Sequence, residues 1–468
     1  MSSLPRVLLV ATDTIGRQIA GPGIRYWNLA RVIAAQQQVT LAVPAVSELE
    51  PPPGVSIVAY GEGSRDRQGK RVAGLASEHD VVVSQMPPYL YFEPDAFEHS
   101  HIVIDLYAPW YLEKLEYARI DPERGESLRA DDLEILRRLL EIGDFYICAS
   151  ERQRDFWLGS LTAAGRLSTS QLRLNPELRS LIDVVPIGLP EKRPVPNGIG
   201  PTEQYPFIDR DDPIILWNGG IWNWLDPVTA IQATHRLIGE GINARLIFMG
   251  VRNPNLEVAE MDIVTVAREL ARELGIEGTH VIFNDWVEAD SRQNWLLQAS
   301  LTLSLHQPTI ESRFAFRTRV LDNLWCRVPI VATEGDVLAD IVSRDGLGRV
   351  VPPGDPQAVA DAIKCLLDRD ENRNVRRRIA TAAQDYTWEQ VAGPLLRYCR
   401  APWKSRPGGN GEDYVHKLER LYTETAGYAR ALEQAIEEKN RALEAAATSH
   451  QPEADPWLRR LQIWKDRA

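Results

Sequence analysis

Between Glu311 and Asp322 the chain gathers Arg313, Arg317 and Arg319 where a helix over about 316–325 is expected to start. Cations at that end oppose the helix macrodipole, whose N-terminus is already positive, so the cluster asks for an anion. A diphosphate suits it, because guanidinium groups make charge-assisted, bidentate hydrogen bonds to phosphate oxygens. Arg319, Asp322 and Asn323 lie three or four residues apart and share a face, which lets Asp322 take the two hydroxyls of a ribose. The competing reading is a surface Arg/Asp network, and such networks stabilise little.

Four other segments carry similar promise. Gly21-Pro22-Gly23 turns the chain after a first apolar run and opens a helix, so backbone N–H groups face an anion there and Arg25 adds a cation one turn in. The alternative is a connecting loop whose glycines only let the chain turn. Gly219-Gly220 follows another apolar run and lets a bound group approach the main chain; Trp222 and Trp224 then offer flat surfaces, with Asn223 and Asp226 as hydroxyl partners. Gly335 turns the chain into a further helix start, a second place for main-chain N–H groups. Asp105 ends an apolar run, where a carboxylate either receives a proton and holds a ligand hydroxyl or caps the next helix. His99 and His101 have no third ligand nearby, so a metal site is not expected.

These segments need elements to hold them. Val- and Ile-rich runs at 7–11, 39–43, 80–84, 101–105, 145–150 and 183–188 alternate with helical stretches, as in a parallel sheet covered on both faces. Residues 191–206, rich in Pro and Gly without apolar period, form a linker. A second series follows at 213–220, 244–250, 280–283, 300–305 and 329–333. The expected architecture is α/β: two Rossmann-like doubly wound domains, 1–190 and 207–390, facing a cleft at the carboxyl ends of their strands. A crossover helix and linker over 391–411 lead to a helical tail over 412–468. In the tail, Tyr414, Leu418, Leu421, Thr425, Tyr428, Leu432 and Ala435 follow a heptad-like spacing that suits self-association through a short coiled coil, against a plain solvated helix. Trp457, Leu461 and Trp464 among Arg459, Arg460, Lys465 and Arg467 make a small basic amphipathic helix, fit either for a membrane surface or for docking on its own domain.

Composition narrows the classes. A length of 468 residues exceeds one core, and a formal charge of −12 disfavours a nucleic-acid partner. The four cysteines stand far apart, which suits a reducing cytoplasm better than a disulfide framework or a zinc site. No stretch approaches a membrane span, so any membrane contact is expected to be peripheral.

The stretches LDNLWCRVPIVATEGDVLADIV and GLGRVVPPGDPQAVADAI resemble the donor half of the family 4 glycosyltransferases of the GT-B fold, and FYICASERQRDFW, DVVPIGLP and FNDWVEADSRQNWLLQASLTLSL extend the likeness over about 5–400. The resemblance implies metal-independent, retaining transfer of a sugar from a nucleotide diphosphate donor to a glycan or glycolipid acceptor, with no cofactor. It places the family's E-x7-E motif on Phe314 to Asp322, with Phe316 as the intervening aromatic and Asp322 as the ribose acid. Phe314 stands where the first acid is expected, so that contact is either missing or moved to Glu311. The Arg and Lys that grip the diphosphate are missing from the loop after 215–219, so either Arg317 and Arg319 take over the charge neutralisation or donor binding is lost. The resemblance also aligns Gly21 and Gly23 with the donor phosphate loop, Asp105 with a strand end of the acceptor domain, and Trp286 and Val287 with the base pocket; Thr318 is a further donor-binding candidate, and Asp105, Glu311, Arg317 and Arg319 are the candidates for catalytic roles. A sugar-nucleotide epimerase and a non-catalytic scaffold on the same fold are the alternatives.

Overall fold

The computed structural model describes residues 4–13, 15–16, 19, 21–45, 49–85, 99–118, 122–251, 261–288 and 290–405, and in the tail 422, 425, 427–429 and 431–441. The chain divides into two compact units, Met1–Arg406 and Pro407–Ala468.

The first unit holds two parallel sheets. The first contains β1 (Val7–Val10), β2 (Val39–Val43), β3 (Val55–Ala59), β4 (Val81–Ser84), β5 (His101–Asp105), β6 (Phe145–Cys148) and β7 (Ile182–Val184), in the order β3-β2-β1-β4-β5-β6-β7. The second contains β8 (Ile214–Trp217), β9 (Arg245–Phe248), β10 (Val281–Phe283), β11 (Leu301–Ser304), β12 (Ile330–Thr333) and β13 (Gly348–Val351), in the order β10-β9-β8-β11-β12-β13. Central strands such as β1, β4, β8 and β12 are buried along their whole length. Their continuous apolar runs follow from helices covering both faces.

β1 pairs with both β2 and β4, and β8 with both β9 and β11, so strand order reverses beside β1 and beside β8. At such switch points the loops leaving neighbouring strands diverge and open a crevice at the carboxyl ends. The loops after β1, β8 and β11 carry Gly21, Gly219-Gly220 and Glu311–Arg319 respectively.

The C-terminal part of this unit returns to the first sheet. Tyr398, on the helix Gly393–Arg400, stacks on Phe145 of β6 at 4.7 Å, and Trp403 Nε1 donates to the Ser180 carbonyl at 2.9 Å. In the second unit residues 431–441 are helical, with Leu432 and Ile436 about half exposed. The basic amphipathic segment around Trp457 lies outside the described residues. Among the described residues, no helix is long and apolar enough to cross a membrane, and no group of His, Cys, Asp or Glu is arranged to hold a metal ion.

Candidate active site

A cavity of about 1030 Å³ is lined by both sheets' loops: Asp13, Gly21, Pro22, Tyr107 and Glu113 from one side, and Asn218, Gly219, Gly220, Trp222, Trp286, Val287, Arg292, Glu311, Phe316, Arg317, Thr318 and Arg319 from the other. The helix Gly21–Ala34 begins at the cavity wall, which directs its unsatisfied N–H groups there. Gly23 is buried behind that wall.

Arg319 is the chemical centre of this cavity. It opens the helix Arg319–Cys326, and among the described residues its guanidinium has no carboxylate within hydrogen-bonding reach. It lies over the Trp286 ring at 5.9 Å instead. Burial, and then the nearby Arg292, push its pKa down to about 10, the response of a cation kept from water without a counter-ion. Two features hold it there. Asn218 donates to the Arg319 carbonyl at 2.8 Å and to Asn323 Oδ1 at 3.1 Å, pinning the start of the helix to the end of β8. Gly219, at φ +134, packs so closely that an added Cβ would meet Arg319 Cγ at 3.2 Å. Arg292 lines the cavity beside it and pairs with Asp322 at 3.2 Å.

Two of the other expected cations, Arg317 and Arg25, are already neutralised by the chain, and the third, Arg313, is exposed and does not line the cavity. The expected helix over 316–325 starts three residues late, at Arg319: a short helix ends at Phe314, Ala315 is extended, and 316–318 fall in a break between the two helices. The break folds Arg317 back over Glu311, which accepts from both guanidinium ends at 2.8 and 2.7 Å. Glu311 is 1% exposed. The anion sought near Arg317 is therefore Glu311 itself, which leaves Arg319 as the guanidinium on the cavity wall without such a partner among the described residues. Asp105 likewise accepts two bonds from Arg25, at 2.7 and 2.9 Å, with both side chains fully buried, and Arg25 donates a third to the Pro186 carbonyl. Neither group reaches the cavity, so Asp105 does not act as its base and Arg25 does not add a cation to it.

Other residues move from ligand contact to support. Asp322 stands behind the cavity, holding Arg292. Asp226 caps the helix Pro227–Gly239 by accepting from Thr229 N, and Asn223 accepts from Ile263 N. Trp222 and Trp224 stack on each other at 5.4 Å, and both border the cavity. Gly335 lies away from the cavity; its carbonyl accepts from Arg152, and the helix start beyond it is filled by Asp336, which accepts from Ala339 N at 2.7 Å. Phe314, in the first acid's expected place, packs on Phe156 at 4.9 Å.

Sequence reasoning missed Arg292, Tyr107 and Glu113. Glu113 sits in the first turn of the helix Trp110–Ala118 and faces Glu311 and Arg317. Burial, reinforced by the Glu311 charge, lifts its pKa to about 7. The cavity lining thus holds both a buried carboxyl whose pKa is raised to about 7 and the Arg319 guanidinium.

Two doubly wound sheets meeting at one cavity are the architecture of a GT-B glycosyltransferase. Residues 212–369 match the family described as "Glycosyl transferases group 1", so the second half carries a glycosyltransferase domain. No curated protein sequence matches the chain. Among solved structures it is similar to a sucrose-phosphate synthase from Thermosynechococcus elongatus (16% identity, TM-score 0.62, covering 84% of this chain and 98% of that one). It is also similar to HepE from Anabaena, solved with UDP and glucose (14% identity, TM-score 0.58, 84% and 98%), and to a UDP-forming trehalose-phosphate synthase from Burkholderia xenovorans (12% identity, TM-score 0.59, 85% and 99%).

Proposed function

We propose that the chain is a retaining glycosyltransferase that moves a sugar from a nucleoside diphosphate donor to a glycan or glycolipid acceptor without a metal ion. The observation that carries this reading is the Arg319 guanidinium, enclosed beside Arg292 and the Gly21 helix start without a carboxylate of its own. A diphosphate in that position completes the charge balance. The neighbours solved with UDP and glucose, and with UDP-glucose, support the donor class.

In the proposed reaction the acceptor hydroxyl oxygen bonds to the anomeric carbon on the face from which the diphosphate leaves. The bond from that carbon to the phosphate oxygen breaks with its electron pair moving to the phosphate. The acceptor's proton passes to the same departing oxygen, so no side-chain nucleophile is needed. Arg319, Arg292 and the helix N–H groups stabilise the growing negative charge; one such donor contributes about 3–4 kcal/mol in other enzymes. Trp286 and Val287 are assigned to the base, and Glu113 to a sugar hydroxyl. A glycolipid acceptor would bring the protein to the cytoplasmic surface of a membrane, and the exposed Tyr428, Leu432 and Ile436 support self-association through the tail.

The test is incubation with a panel of nucleoside diphosphate sugars and short glycan or glycolipid acceptors, with early product read by proton NMR. The expected result is a glycoside with the donor's anomeric configuration. An inverted product overturns the retaining mechanism, and epimerised donor without transfer favours the epimerase.

A further inference from the structure

A second concavity, of about 410 Å³, lies at the far end of the helix that Arg319 begins. It is lined by Cys326, Arg327, Arg369, Arg373, Arg376 and Arg377, together with Asn372. An eight-residue helix is about 12 Å long, so this site is separate from the cavity between the sheets. We infer that it binds a phosphate-bearing anion: a phosphomonoester or diphosphate, either free or on a lipid headgroup.

The floor is built and rigid. Arg376 Nε donates to Asn372 Oδ1 at 2.7 Å, Nη2 to the Ala299 carbonyl at 2.7 Å and Nη1 to the Arg327 carbonyl at 3.2 Å. Asn372 in turn donates to the Ser300 and Leu366 carbonyls. The carbonyl end of the helix Arg319–Cys326 attracts cations, which accounts for Arg376.

It does not account for the walls. Arg369, Arg373 and Arg377 repeat every four residues along the helix Arg369–Ala382, and so form one stripe. Arg373 pairs with the exposed Asp370 at 3.2 Å, while the side chains of Arg369, Arg377 and Arg327 have no hydrogen-bond or carboxylate partner among the described residues. The other acids of this helix are used elsewhere: Asp368 caps it, and Glu371 pairs with Arg349 and Arg378.

Arg327 adds an independent sign. It holds a left-handed backbone, φ 58 and ψ 40, at the C-cap of its helix, a position where glycine is the usual residue. An arginine kept at that cost needs a use for its side chain. In a chain of net charge −12, so many guanidinium groups around one hollow repel one another until an anion with several oxygens bridges them.

The full-length protein is titrated with inorganic pyrophosphate by calorimetry, as wild type, as Arg319→Ala and as Arg369→Ala/Arg377→Ala. The last pair is exposed, so the fold is kept. Binding that persists in Arg319→Ala and, in that background, weakens on the order of 100-fold when Arg369→Ala/Arg377→Ala is added is the expected result, at about tenfold per charge-assisted contact. Equal affinity and stoichiometry in wild type and double variant overturn the site. Flotation with phosphatidylcholine vesicles, with and without phosphatidic acid, separates the sources. Wild type rising only with phosphatidic acid, and the double variant not rising, assigns a lipid headgroup. Pyrophosphate binding without flotation assigns a soluble phosphate.

Discussion

Replacing Arg319 with methionine should make the empty protein more stable and the occupied protein less so. The guanidinium's fall from 12.5 to about 10 corresponds to about 3 kcal/mol held against the charged state, at about 1.4 kcal/mol per pH unit. The folded-state value is depressed, so that cost is present throughout the range below pH 10, where the unfolded chain is fully protonated. Methionine keeps the apolar stem and removes the charge. The lost cation–π contact with Trp286 takes back about 0.5–1 kcal/mol. The net gain of about 2 kcal/mol should raise the melting midpoint of the unliganded protein by about 2–6 °C. Wild type at 100-fold excess of a nucleoside diphosphate over its Kd gains about 2.7 kcal/mol, and Arg319→Met should lose most of that gain. Thermal melts of both proteins, with and without nucleotide, read all four states. A variant that melts at or below wild type when empty, or that is stabilised equally by nucleotide, refutes the reasoning.

Arg317→Ala should destabilise by about 3–5 kcal/mol, because it strands the buried Glu311 carboxylate, whereas Arg317→Met/Glu311→Met should recover most of the loss; urea denaturation of both decides, and a stable Arg317→Ala contradicts the pairing. The folded-state pKa of Glu113 is raised from 4.5 to about 7, so its stabilising contribution is complete below pH 4.5 and is lost as pH rises through 7. Between pH 5 and pH 8 wild type should therefore lose about 2–3 kcal/mol relative to Glu113→Gln, and parallel denaturation profiles would count against this. Gly219→Ala forces a left-handed backbone on a residue with a Cβ and crowds Arg319, so a loss of about 1–3 kcal/mol with weakened nucleotide binding is expected; calorimetry and melts on the variant check it.

The two-sheet plan was legible because central strands are unbroken Val/Ile runs. β3 and β13 were missed because VSIVA alternates toward solvent and GRVV is only half covered, so neither stands out from its flanks. The sequence also set the helix start near Phe316, three residues before the observed start at Arg319, and so placed Arg317 in a first turn that it does not occupy. The charge partners were not legible at all. Arg25 finds Asp105 eighty positions away, and Arg292 reaches Asp322 from another helix, so which cation stays free depends on tertiary pairing. Residue types at the strand ends therefore located the cavity, with Gly21, Gly219, Trp222, Trp286 and Arg319 on its wall, but not the division between ligand contact and support.

The central claim is that Arg319 and Arg292 await a diphosphate. Calorimetric titration of the wild-type protein and of Arg319→Ala with a panel of nucleoside diphosphates tests it most directly. The account predicts that at least one nucleotide binds wild type and binds the variant about tenfold or more weakly. Binding that survives unchanged in Arg319→Ala, or no binding to wild type by any nucleotide, contradicts it.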